Sequence, residues 1–200
     1  MSQSPVFIFD LGKVLVDFNY TIAARKVAAR SRKSPHDLHA FLGASPLLGE
    51  YESGNLTREG FFDAIRSEID FQGDVVEFGN YFADIFAEIE PMIGLHAELR
   101  GRGFKTYIFS NTNDLAVEHI RRNFPFFVNF DGYIFSYEVG AMKPLPKIYE
   151  AMEAMTGKSG SDLIYIDDRP ENIATGAARG WHAILHETPE QTRAAVASRI

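Results

Sequence analysis

A chain of 200 residues, 46% of them hydrophobic, can bury one sizeable core and leaves room for an insertion. Its formal charge of −7 argues against a general nucleic-acid binder, which needs clustered Lys and Arg, but not against a small phosphate ligand, which one or two local cations can hold. The absence of cysteine excludes disulfides, thiolate catalysis and Cys-based zinc sites.

The chain opens on Val6-Phe7-Ile8-Phe9, which runs into Asp10, with Gly12 allowing a turn. Four apolar residues of this kind predict a buried parallel strand whose carboxyl end faces a site. Residues 19–90 change character. Ala23, Ala24, Ala28 and Ala29 mark a first helix, Ser34-Pro35 starts a second, and Thr57 caps a third with Phe61, Phe62 and Ile65 on one face. Val75, Val76, Phe78, Phe82, Ile85 and Phe86 predict one further amphipathic helix. With no strand expected among them, these residues form a helical insertion.

From Pro91 the pattern alternates. A helix up to Arg102 is stopped by Gly103, and strand Lys105-Thr106-Tyr107-Ile108-Phe109 runs into Ser110-Asn111-Thr112-Asn113. A helix over 114–123, a short strand over 133–135 and a helix from Pro144 to Met155 follow. Strand Leu163-Ile164-Tyr165-Ile166 runs into Asp167-Asp168, and a helix from Asn172 to Arg179, a strand over 183–185 and a helix over 189–198 complete the chain. The expected fold is α/β: a Rossmann-like parallel sheet with helices on both faces, built from 1–18 and 91–200, with 19–90 inserted after the first strand. No basic-then-apolar leader and no bilayer-length apolar run are present, so no membrane partner and a cytoplasmic location are expected.

Parallel strands bring their carboxyl ends to one edge, so Asp10, Ser110-Asn111 and Asp167-Asp168 can converge on one crevice, with Lys143 beside it. Alone, each is an ordinary turn or cap residue. Together, three carboxylates without Cys or clustered His suit a hard cation such as Mg²⁺, and a hydroxyl, backbone N–H groups and a lysine suit a phosphate. An aspartate and a phosphate about 3.5 Å apart repel by roughly 5 kcal/mol per pair of unit charges at an effective dielectric of 20, which Mg²⁺ and Lys143 would offset.

These segments, in this order, resemble the four motifs of the haloacid dehalogenase superfamily: Phe9-Asp10-Leu11-Gly12-Lys13-Val14, Phe109-Ser110-Asn111, Lys143-Pro144, and Asp167-Asp168 with Asn172 following. The resemblance implies a parallel α/β core with a mobile cap, here residues 19–90, in which Glu52-Ser53-Gly54-Asn55-Leu56-Thr57 is similar to a segment often seen in such caps. It implies Asp10 as nucleophile, Ser110 and the Asn111 N–H as holders of the phosphoryl group, and Lys143 as its neutraliser. It also implies Mg²⁺ on Asp10, the Gly12 carbonyl and Asp168, with Asp167 a second or indirect ligand. Phosphatases of the family usually carry a second aspartate, an acid–base group, where this chain has Gly12. Three consequences are open. The substrate has a good leaving group, such as a sugar 1-phosphate or acyl phosphate; or Asp17, Glu52 or His39 substitutes; or the protein is not catalytic. The chain is similar to the α-D-glucose-1-phosphate phosphatase-like branch, which shares Asp-Leu-Gly and Ser-Asn-Thr-Asn but usually has Asn where Lys13 stands here.

The function expected is a Mg²⁺-dependent phosphatase for a small phosphorylated metabolite, a sugar phosphate among the candidates, acting through an aspartyl-phosphate. The alternatives are a 2-haloacid dehalogenase and a non-catalytic phospho-ligand-binding protein. Oligomeric state is not readable from the sequence.

Overall fold

In the computed structural model, which describes residues 4–200, the opening strand β1 (Val6–Phe9) is buried at every position and stands in the middle of a sheet. The first three residues of the expected core segment lie outside the described residues. The chain continues through β2 (Val16–Phe18), α1 (Tyr20–Ala28), α2 (Pro35–Ala44), α3 (Leu47–Glu52), α4 (Arg58–Ile69), α5 (Val75–Ala83) and β3 (Phe86–Glu88). Then come α6 (Glu90–Gly101), β4 (Lys105–Ser110), α7 (Asp114–Asn123), β5 (Gly132–Phe135), α8 (Ser136–Val139) and α9 (Pro146–Thr156). β6 (Leu163–Asp167), α10 (Pro170–Ala178), β7 (His182–Leu185) and α11 (Pro189–Ala197) end it.

Among the described residues five strands form one parallel sheet in the order β5-β4-β1-β6-β7. Leu95, Leu99, Val117, Ile120 and Val196 of α6, α7 and α11 pack on one face, and Ile148, Tyr149 and Met152 of α9, with Trp181, pack on the other. Both faces are therefore dry, which is why the inner strands read as unbroken apolar runs. Phe9 is in register with Ile108 and Ile166, so Asp10, Ser110 and Asp167 leave the sheet at one edge. No helix among the described residues is long and apolar enough to cross a membrane.

The insertion has its own apolar cluster, with Phe61, Phe62, Phe71, Phe78 and Phe82 in mutual aromatic contact. Ser34, Thr57 and Asp74 each accept a backbone N–H at the start of α2, α4 and α5. One expectation is corrected here. The helix expected to run through Phe86 ends at Ala83, and Phe86–Glu88 pairs antiparallel with Val16–Phe18. Asp84 leaves helical geometry (φ −84°, ψ 64°), and the Phe18 and Phe86 rings meet across the strands at 6.2 Å. The insertion thus hangs from a two-stranded ribbon. It is also tied to α7: the Tyr51 hydroxyl donates to Asp114, and Arg58 reaches Asp114 and Glu118, each at 2.7 Å.

His96 on α6 is buried beneath the sheet, 3.1 Å from Thr106 Oγ1 and stacked on Phe130 at 3.9 Å. Burial, helped by Arg100, lowers its imidazole from the usual 6.5 to about 4. The unfolded chain therefore binds a proton that the folded one refuses as pH falls from 6.5 to 4, and stability drops across that window by up to about 3 kcal/mol. The expected result is a melting temperature that declines over this interval and flattens in His96→Phe. An equally steep decline in that variant would remove His96 as the cause.

Candidate active site

The sheet edge collects Asp10, Ser110, Lys143, Asp167 and Asp168 where the sequence places them. Asp10 follows the last residue of β1, and its own N–H donates to Ile166 O at 2.9 Å. Its Oδ1 accepts the Leu11 N–H at 2.7 Å and lies 3.0 Å from Lys143 Nζ. Among the described residues its Oδ2 accepts no hydrogen bond, and Asp10 lines a cavity of about 450 Å³ between the sheet edge and the insertion. One carboxylate oxygen is anchored and the other has no partner among the described residues.

Lys143 is no surface lysine. Its side chain is 1% exposed, and Nζ also donates to Asp167 Oδ2 at 2.6 Å and to Phe109 O at 2.8 Å, so all three ammonium protons are engaged. Its backbone is held as firmly, because the Asn111 side chain accepts the Lys143 N–H at 2.7 Å and donates to the Lys143 carbonyl at 3.0 Å. This leaves the backbone N–H of Asn111, rather than its amide, for a ligand. Asn113 is a helix cap for α7, as its type suggests.

Asp167 is fully occupied. Oδ1 accepts from the Arg169 N–H (2.8 Å) and Asn172 Nδ2 (3.0 Å), and Oδ2 from Lys143 and the Tyr165 hydroxyl (2.5 Å). Asn172, noted in the sequence only as following the last motif, gives its Nδ2 to Asp167, while its buried Oδ1 has no partner. Carboxylate oxygens of Asp10, Asp167 and Asp168 lie within 4.8 Å of one another. One ammonium among three carboxylates leaves excess negative charge, and an all-oxygen donor set beside an orphaned amide oxygen fits Mg²⁺.

The electrostatics agree. Burial pushes the Asp10 carboxyl up to about 7 against the pull of Lys143, with Asp167 and Asp168 adding to the rise. Burial and Asp167 raise Asp168 in the same way. Burial works against the charged form of Lys143 too, but Asp10 and Asp167 outweigh it and hold the ammonium charged.

Gly12 sits in the loop entering β2, and a Cβ there would lie 3.0 Å from Cε1 of Phe18. A side chain at position 12 would need the Phe18 ring to give by a few tenths of an ångström. Of the three residues named as substitutes for the missing acid, Asp17 is exposed on β2, where hydrogen bonds from Lys13 and the Phe18 N–H lower its carboxyl. His39 is exposed on α2 and is not among the cavity residues. Glu52, at the end of α3, lines the cavity. Reading by motif did not single out Arg169 or Lys13 as site residues, yet both line it too. A cation directly after the Asp167-Asp168 pair was the available signal for Arg169.

The family profile for haloacid dehalogenase-like hydrolases matches residues 5–180. The chain is 26% identical over 176 residues to the sesquiterpene phosphatase astK of Aspergillus oryzae, covering 86% of this chain and 85% of that protein. It is 23% identical over 194 residues to the D-ribitol-5-phosphate phosphatase of Bacteroides thetaiotaomicron, covering 90% of each. Its fold is similar to that of a solved enzyme of the family from the same organism, in complex with magnesium and inorganic phosphate: TM-score 0.80 and 20% identity, over 92% of this chain and 94% of that one.

Proposed function

The chain belongs to the haloacid dehalogenase-like hydrolases, and on that footing we propose that it is a Mg²⁺-dependent phosphatase of small phosphomonoesters, with residues 19–90 as the cap that covers the site. The observation that carries the reading is Asp10, pinned through Oδ1 with Oδ2 open to a cavity that Ser110 and Asp168 also line. The relatives named for phosphatase activity, and the solved enzyme that holds magnesium and phosphate, support it.

The Asp10 carboxylate, the Gly12 carbonyl and Asp168 would hold Mg²⁺, with the unpartnered Asn172 Oδ1 available to a water on the ion. Asp167, its lone pairs already taken, is assigned to fixing Lys143 and Asn172. Bound there, Mg²⁺ supplies the positive charge that lets a carboxylate approach a phosphate dianion. Asp10 Oδ2 attacks phosphorus as the ester P–O bond breaks. The Ser110 hydroxyl and the Asn111 N–H hold the equatorial oxygens, and Lys143 pulls Asp10 towards its ionised form and aims it. Water then cleaves the aspartyl-phosphate, restoring Asp10 and releasing inorganic phosphate. The three carboxylates favour this chemistry over halide displacement from carbon, which has no use for a cation site.

Much of the cavity lining besides the polar groups is apolar, with Phe18, Leu48, Phe86, Ile120 and Met142. A substrate with an apolar face suits it better than one that is hydroxylated all round. Phosphate release from a panel of alkyl, terpenyl and sugar phosphates, with Mg²⁺ and with EDTA, tests the proposal. Metal-dependent release, strongest for the apolar esters, is expected. Release indifferent to EDTA, or none from any ester, would overturn it.

A further inference from the structure

Gly12 carries no acid–base side chain, and the Phe18 ring lies close against it, so a proton donor has to come from elsewhere if the leaving group is an ordinary alcohol. The insertion offers one. Glu52 projects into the Asp10 cavity from the end of α3, and among the described residues its carboxyl makes no hydrogen bond and no ion pair. Its position is built. The preceding residue, Tyr51, is buried and donates to Asp114 of α7. The turn that follows is closed by Asn55 N–H to Glu50 O at 2.9 Å. Gly54 in that turn has φ +74°, and a Cβ there would meet Tyr137 O of α8 at 2.3 Å, so only glycine lets the turn lie so close to the core. Glu52 is therefore held between two anchor points, above the sheet edge.

Resting on the phosphatase reading, we infer that Glu52 is the proton donor to the leaving alcohol and then the base for the attacking water, so that the substrates are unactivated alkyl phosphomonoesters rather than acyl or anomeric phosphates. Its neighbours agree. Burial pushes its carboxyl up to about 7, with Arg169 pulling the other way, so at neutral pH a substantial fraction carries the proton to be given. Tyr20 of α1, which lines the same cavity, stays a neutral phenol because burial, and then Glu52, raise it.

The steps balance. As Asp10 Oδ2 bonds to phosphorus, the P–OR bond breaks and the Glu52 proton passes to the departing oxygen, giving ROH and a Glu52 carboxylate. That carboxylate takes a proton from water as the water oxygen bonds to phosphorus and the P–Oδ bond to Asp10 breaks. Phosphate leaves, and Glu52 is protonated again.

The test is the first turnover of Glu52→Gln with Mg²⁺ on two esters: an alkyl phosphate accepted by the wild type, and p-nitrophenyl phosphate, whose phenolate leaves without a proton. The expected result on the alkyl ester is a loss of about 10²- to 10⁴-fold. On the aryl ester a near wild-type burst of one nitrophenolate per enzyme is expected, followed by slow turnover and a hydroxylamine-sensitive phosphoenzyme. Glu52→Asp, which keeps the acid, should recover part of the alkyl activity. An equal loss on both esters in the first turnover, no loss on either, or no recovery in Glu52→Asp would overturn the assignment while leaving the phosphatase reading in place. A wild type that releases phosphate from neither ester would overturn both.

Discussion

Asp10→Asn is expected to lose phosphate release by a factor on the order of 10⁴–10⁶, the scale on which removal of a nucleophile is felt in covalent catalysis. The substitution is nearly isosteric. The amide oxygen can take over the two bonds of Oδ1, to Lys143 Nζ and the Leu11 N–H. The amide nitrogen then stands where Oδ2 stood, with no lone pair for phosphorus. Stability should move the other way. Burial already disfavours the Asp10 carboxylate, and Asp167 and Asp168 add repulsion, so a neutral side chain removes a burden. An inactive protein that melts no lower than the wild type, and gives no hydroxylamine-sensitive label, is the expected pair of results. Turnover within tenfold of the wild type would end the nucleophile assignment.

Lys143→Met is expected to be costly for both activity and folding. It leaves Asp10 and Asp167 buried side by side without their shared cation, and breaking a buried pair from one side costs about 3–5 kcal/mol. For a chain of this length that corresponds to a fall in melting temperature of about 6–20 °C. Loss of a preorganised charge at the reacting centre adds a rate loss of about 10²–10³. Lys143→Arg should rescue neither, because Nζ donates to three acceptors around one atom, the Phe109 carbonyl and the two carboxylates, and a planar guanidinium cannot reproduce that arrangement in the same space. Urea unfolding and phosphate release, measured on both variants, check the two effects separately. A Lys143→Met protein as stable as the wild type would show that the ammonium does not hold the carboxylates.

Much of this was legible because parallel strands buried on both faces leave an unambiguous trace. Val6–Phe9, Lys105–Phe109 and Leu163–Ile166 read as apolar runs ending in polar residues, and those ends define the edge where Asp10, Ser110 and Asp167 meet. Phe86–Glu88 was not legible as a strand. It is three residues long, it follows a helix of the same apolar spacing, and its pairing partner lies about seventy positions earlier at Val16–Phe18. The engagement of every lone pair of Asp167 was equally hidden, since Tyr165 and Asn172 reach it only once strand and helix are in place. Glu52 could be named from sequence beside Asp17 and His39. What separates the three is burial and neighbours, which are tertiary facts: an ion pair with Lys13 for one, exposure on a helix for another, an unpartnered carboxyl in the cavity for the third.

The contact between position 12 and the Phe18 ring couples substitutions at the two positions. An aspartate introduced at position 12 alone would place its Cβ 3.0 Å from Phe18 Cε1, so the neighbouring ring must give way before the new side chain can be seated. Reducing Phe18 first opens that room, and the aspartate can follow. Gly12→Asp is therefore expected to be better tolerated on a Phe18→Ala background than on the Phe18 one, which the melting temperatures of the single and double variants would read.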